Sequence, residues 1–240
     1  MREGKFRHIG VLGITGGVGA GKSTVLSYLK ERYGALIIEC DQVGKDLQKK
    51  GGACYEPMIR LFGKEIIGQD GEIDRPYVAK RIFREPEKKA ALEKIVLPAV
   101  KAEVRQRLEE LDQAFGTDRS AFTKSRKAGD PGGQEKESVR LSLAVIESAI
   151  LLDDHYDEFC DEIWYIYTSD EKRRERLKAS RGYSDERIDR MFAAQRSDLS
   201  FREHTQFVID NSSDIVQNTF EQIERGMKGR KFGNLWISAQ

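Results

Sequence analysis

Short apolar runs alternate with longer amphipathic stretches along this chain. Residues 9–15 form a run of Ile, Val and Leu bounded by glycine, which reads as a buried strand. Further apolar runs stand at 35–39, 143–147, 163–167 and 207–209. Between them apolar residues recur at helical spacing. Over 23–33, Val25, Leu26 and Leu29 share one face while Lys30, Glu31 and Arg32 face water. Val100, Val104, Leu108 and Leu111 repeat in the same way. Strands alternating with helices predict an α/β fold with a parallel sheet and helices on both faces.

Two stretches break the rhythm. Residues 112–140 are mostly polar and charged, with Gly116, Gly129, Pro131, Gly132 and Gly133, and read as a mobile insertion. The basic cluster Lys124, Arg126 and Lys127 within it reads as a solvated loop rather than a docking site. After Gly226 the tail carries Lys228, Arg230 and Lys231, then Leu235, Trp236 and Ile237. Those apolar residues pack either on the body or on a partner.

Length and charge narrow the class. At 240 residues the chain suits one α/β domain with an appended lid. Its 41 basic and 40 acidic residues nearly cancel, against a general nucleic-acid or membrane-surface binder. No apolar run approaches the roughly 20 residues of a membrane helix, and the first residues lack a signal-peptide core. Cys40, Cys54 and Cys160 show no CxxC spacing, which fits a reducing cytoplasm and excludes a disulfide scaffold or zinc ribbon. His8, His155 and His204 are scattered and read as surface or loop residues.

The strongest chemical signal follows the first strand. Gly16-Gly17-Val18-Gly19-Ala20-Gly21-Lys22-Ser23-Thr24 satisfies GxxxxGK[ST], between a strand and a helix as a P-loop requires. Glycines let backbone N–H groups turn toward phosphates with no Cβ in the way. The helix N-terminus adds partial positive charge there. Gly17, Gly19, Ala20, Gly21, Ser23 and Thr24 therefore read as the cradle of a nucleoside triphosphate. Lys22 is expected to reach the β- and γ-phosphates, with the Ser23 hydroxyl on Mg²⁺.

A P-loop alone does not separate kinases from GTPases or ATPases. The second strand delivers Glu39 and Asp41 at its C-terminal end, expected beside the P-loop. A carboxylate there can accept the proton of an attacking hydroxyl or hold Mg²⁺ through water; the alternative for Asp41 is a helix cap, and the functional reading is preferred there. After the fourth strand, Arg173, Arg174, Arg176 and Arg181 crowd together, followed by Arg187, Arg190, Arg196 and Arg202. Most read as a solvated face paired with Glu171, Glu175, Asp185 and Glu186. By position, Arg176 and Arg181 are the candidates to close over the phosphates.

At this point the chain resembles the dephospho-CoA kinase family. The resemblance is carried by residues 13–24, Ile38-Glu39-Cys40-Asp41, Phe62-Gly63, Asp70-Gly71-Glu72-Ile73-Asp74-Arg75 and Ile82-Phe83. Arg176-Leu177, Arg181-Gly182-Tyr183-Ser184, Gln195 and Val208-Ile209-Asp210-Asn211 extend it. It implies a P-loop kinase three-layer fold with a five-stranded parallel sheet, a helical acceptor-side domain and a lid. The core falls at about 8–41, 141–168 and 203–226, the helical CoA-side domain at about 42–112, the polar insertion at about 112–140 and the lid at about 169–202.

The resemblance further implies transfer of the ATP γ-phosphoryl to the ribose 3′-hydroxyl of dephospho-CoA; with it we expect Mg²⁺, a cytoplasmic location and a monomer or small homo-oligomer. It maps the proposed base to Asp41, the lid arginines to Arg176 and Arg181, and an adenine neighbour to Asn211. The pattern departs at Glu39, where an aspartate is usual, and at Leu97-Pro98, where His-Pro is usual. Residues 147–153 replace Pro-Leu-Leu-Phe-Glu, so that Glu147 stands as a new carboxylate, for Mg²⁺ or acceptor work or for structure, and Asp153 as a shorter one. The rival expectations are another small-molecule or nucleoside P-loop kinase, and a nucleotide-binding regulator without turnover. No NKxD motif supports a GTPase and no GxSxG turn a hydrolase.

Overall fold

The computed structural model describes residues 5–117 and 143–229. The basic cluster at 124–127 and the apolar tail at 235–237 lie outside the described residues. The chain divides into two compact units, residues 1–37 with 109–240, and residues 38–108.

The larger unit is built on the sheet. Strands β1 (Gly10–Thr15), β3 (Leu143–Glu147) and β4 (Glu162–Tyr167) are apolar almost throughout because both faces are covered. β2 (Leu36–Glu39) and β5 (Phe207–Asp210) are shorter and partly exposed, as edge strands are. The five strands run in the order β2-β3-β1-β4-β5. β1 pairs in parallel with β3 (Ile14 opposite Glu147) and with β4 (Ile14 opposite Trp164), and β4 with β5. Helices α1 (Lys22–Tyr33) and α9 (Val216–Gly229) cover one face. Their Val25, Leu29, Ile223 and Met227 join Leu12, Ile14, Trp164 and Ile166 in the core. After β4 come α6 (Asp170–Arg181), α7 (Asp185–Ala193) and α8 (Asp198–Glu203), each started by a serine whose side chain accepts from a backbone N–H of the first turn.

Two differences from the sequence reading concern position. The second strand does not lie next to the P-loop strand: β3 stands between them. A run of apolar residues identifies a strand but says nothing of its neighbours. The segment read as an insertion also begins helically, because the long helix α5 (Pro86–Thr117) continues through its first residues. Asp112 explains the extension: its carboxylate accepts the N–H groups of His8 (2.6 Å) and Ile9 (3.2 Å), tying the end of α5 to the entry of β1.

The smaller unit is helical, with α2 (Cys40–Leu47), α3 (Tyr55–Phe62), α4 (Arg75–Arg84) and most of α5. Tyr55, Met58, Phe62, Ile66, Ile73 and Val78 form its core. The Asp70-Gly71 turn reverses the chain so that Ile67 bridges Ile73, and Asp74 caps α4 through the Tyr77 N–H at 2.9 Å. All three cysteines are buried and none is disulfide-bonded. No helix among the described residues is long and apolar enough to cross a membrane.

Candidate active site

The glycine loop spans the passage from buried β1 into α1. Gly21 occupies the N-cap with φ 81°, in the left-handed region, and no side chain caps the helix. Thr24 N–H donates to Gly21 O at 3.1 Å, and the N–H groups of Lys22 and Ser23 stand at the helix start, where the dipole favours an anion. A Cβ on Gly21 would collide with the Asn211 amide, and one on Gly17 would lie 2.5 Å from the Arg173 guanidinium. Gly21 is favoured by its left-handed φ as well as by the buried Asn211, whereas at Gly17 the near atoms are side-chain ends of Arg173 and Gln195.

Carbonyls of the loop are tethered by groups from other elements. Ala20 O accepts from Asn211 Nδ2 at 2.8 Å and from Thr168 Oγ1 at 2.9 Å. Val18 O accepts from Arg173 Nε at 2.9 Å. A trans peptide points its C=O and the following N–H in opposite directions. Holding these two carbonyls therefore fixes the N–H groups of Gly21 and Gly19.

Lys22 lies across the loop. Its Nζ donates to Gly16 O at 2.8 Å and sits 3.4 Å from Glu147 Oε1, with both side chains mostly buried. Sheet order accounts for the pair: Glu147 ends β3, the neighbour of β1, so it occupies the place expected for a carboxylate of the second strand. The sequence reading noted Glu147 as a departure, for Mg²⁺ or acceptor work or for structure, without its pairing to Lys22. Ser23 is exposed on the first turn of α1 and Thr24 is half-buried.

The remaining expected residues divide. Arg176 is gathered in: its Nη2 donates to Asn211 O at 2.9 Å, and Nη1 lies 3.3 Å from where a Gly21 Cβ would stand. Arg181 is exposed at the C-terminal end of α6, its guanidinium 5.8 Å from the Tyr183 ring. Asn211 is buried and its amide is engaged at both ends, on Ala20 O and on the Thr219 hydroxyl (2.8 Å). Asp41 is exposed in the first turn of α2; Glu39, not Asp41, holds the N-cap position, without a side-chain cap. Asp153, the shorter carboxylate, is held by Arg196, whose Nε donates to it at 2.8 Å.

Arg173 was not singled out by sequence. It is 13% exposed, donates to Asp170, Gln195 and Val18, and stacks 4.0 Å over Phe192. Burial pulls its guanidinium below the ordinary range and the Asp170 carboxylate pushes it back. Its neighbour Arg174 lies on the solvated face, paired with Asp185 (2.8 Å) and Asp189 (2.5 Å), as most of these arginines were expected to be.

Such a loop, opening a helix and flanked by a lysine and an arginine, defines a P-loop nucleotide-binding protein of the kinase type. A family model for dephospho-CoA kinase matches residues 10–117. The chain is 30% identical over 218 residues to a dephospho-CoA kinase of Streptococcus mutans, covering 91% of this chain and 96% of that one. It is 32% identical over 216 residues to one of Carboxydothermus hydrogenoformans, covering 89% and 90%. It belongs to the dephospho-CoA kinase family. The fold is shared with a Thermus thermophilus crystal structure (TM-score 0.68, 22% identity, 93% and 100% coverage). It is shared also with a dephospho-CoA kinase of Campylobacter jejuni (TM-score 0.58, 16% identity, 92% and 98%).

Proposed function

We propose that this chain transfers the γ-phosphoryl group of ATP to the ribose 3′-hydroxyl of dephospho-CoA. The observation that carries the reading is the convergence of Lys22 and Arg176 on one glycine loop at a helix N-terminus, in a member of this family. In the reaction the hydroxyl oxygen bonds to the γ-phosphorus as the bond to the β–γ bridging oxygen breaks. ADP leaves and the hydroxyl proton goes to a carboxylate, the role this reading gives to Asp41. Little covalent work falls to the protein, so its contribution is position and charge. Lys22 and Arg176 meet the charge spreading over the transferred group, and Arg181 is the second lid cation in this reading. The cradle N–H groups of residues 17–24 hold the phosphates.

Mg²⁺ fits the donor set. Among the described residues no group of three or more His, Cys, Asp or Glu could hold a metal. A P-loop Mg²⁺ needs none, since it keeps waters and takes phosphate oxygens with one or two protein oxygens. The exposed Ser23 hydroxyl and the Glu147 carboxylate are the residues that would hold it. The ion, when bound, neutralises charge between the β- and γ-phosphates.

An acceptor panel tests the reading. ADP release from ATP should saturate with dephospho-CoA and remain at background with nucleosides and nucleoside monophosphates. Saturation by a nucleoside instead would make the chain another small-molecule kinase. ATP binding with no turnover on any acceptor would make it a regulator that kept the fold.

A further inference from the structure

We propose that Arg173 is a positioning residue that aims the Gly19 N–H at the bound phosphates and makes this alignment depend on helix α7. The inference rests on the P-loop binding ATP and adds a residue that neither the motif nor the resemblance assigns.

Three observations carry it. First, Arg173 Nε donates to Val18 O, and the planar trans peptide then turns the Gly19 N–H the opposite way. Without that donor, the Val18–Gly19 peptide is free to flip. A flip would replace an N–H donor with a carbonyl dipole that repels phosphate. Gly19, at φ 78°, has no side chain to resist it.

Second, the guanidinium is held by further partners. Nη2 donates to Gln195 Oε1 at 2.6 Å, Nη1 to Asp170 Oδ1 at 2.9 Å, and the plane lies 4.0 Å over Phe192. Gln195 and Phe192 belong to the end of α7 and the residues just after it. The loop peptide and the α7 segment are thus joined through one rigid group.

Third, the residue types suit this task and a solvated helix face does not explain them. A planar fork with Nε–H and Nη2–H held in one plane engages a carbonyl and an amide oxygen at once, which a lysine ammonium cannot do in fixed geometry. Gly17 leaves room for the guanidinium where any Cβ would lie 2.5 Å from Nη2. The four groups that hold Arg173 sit on the loop (Val18), on its own helix α6 (Asp170) and at the end of α7 or just after it (Phe192 and Gln195), so its position records their arrangement.

ATP affinity of the full chain, titrated calorimetrically with Mg²⁺ and no acceptor, tests this. Arg173→Lys should weaken ATP binding about tenfold while the acceptor KM stays within about twofold and thermal stability is nearly kept, because charge remains and only the fork is lost. Gln195→Leu should weaken it about threefold, and adding it to Arg173→Lys should cost nothing further, since the two act through one contact. A general loss of packing would lower Tm and the active fraction but not the affinity of the folded molecules. A folded Arg173→Lys chain that binds ATP as the parent does would overturn the proposal. If that variant does not fold, Gln195→Leu decides: unchanged ATP affinity overturns it. A parent chain that binds no ATP would instead overturn the phosphotransfer reading, and this inference with it.

Discussion

Replacing Lys22 by Met should lower turnover by about 10²–10³-fold, the scale of losing one preorganised group that meets transition-state charge. Its surroundings account for the expected size of the effect. Lys22 Nζ is anchored between Gly16 O and Glu147, mostly out of solvent, so its charge acts in a medium that screens it weakly. Removing it takes away a cation and leaves the Glu147 carboxylate beside the place where phosphate must bind. ATP affinity should therefore fall along with turnover. Glu147→Gln added to Lys22→Met should not recover the rate, since it also removes one of the two protein oxygens that would hold Mg²⁺. Arginine should not rescue the site, since a planar fork is not a compact ammonium. Steady-state kinetics over an ATP titration would check all three variants. Turnover of Lys22→Met within about tenfold of the parent would contradict the role given to the lysine.

The second large effect is expected at Asp41. Asp41→Asn keeps the shape of the side chain and removes its capacity to accept a proton. Turnover should fall by about 10²-fold or more, while ATP binding stays near that of the parent. Folding should survive, because Asp41 is exposed in the first turn of α2 and its favourable placement at a helix N-terminus is a matter of about 0.3–1 kcal/mol. The contrast with Lys22 is diagnostic. One variant loses rate and affinity together, the other rate alone. Unchanged turnover in Asp41→Asn would move the proton to another acceptor, and Glu147 is the next carboxylate to replace.

Much of the fold was legible because the central strands are covered on both faces. β1, β3 and β4 carry nearly unbroken apolar runs, and the GxxxxGK[ST] pattern located the strand-to-helix passage without ambiguity. Strand order was not legible. An apolar run says that a strand is buried and not which strand lies beside it, so Glu147 at the end of β3 went unmatched with Lys22 until the sheet was seen. The polar composition of the stretch from 112 concealed a helical extension to Thr117, where Asp112 accepts the His8 and Ile9 N–H groups.

Among the arginines helical phase alone was not enough. Leu177 is the buried residue of α6 and sets the phase of that helix. Arg173 and Arg181 both lie about 40° from it, Arg174 about 60° and Arg176 about 100°. The two arginines that reach the loop, Arg173 and Arg176, are therefore not set apart by phase from Arg174 and Arg181. Asn211 illustrates the same limit. Its amide lies between Ala20 O and Thr219, a placement set by contacts distant in sequence that no local pattern encodes.

The most direct test counts products in one reaction of the parent chain with ATP, Mg²⁺ and dephospho-CoA, following ADP and the acceptor mass together. The account predicts ADP only when the acceptor is present, matched one for one by an acceptor that has gained a single phosphate. ATP bound without acceptor-dependent ADP, or ADP released while the acceptor mass stays unchanged, would contradict it.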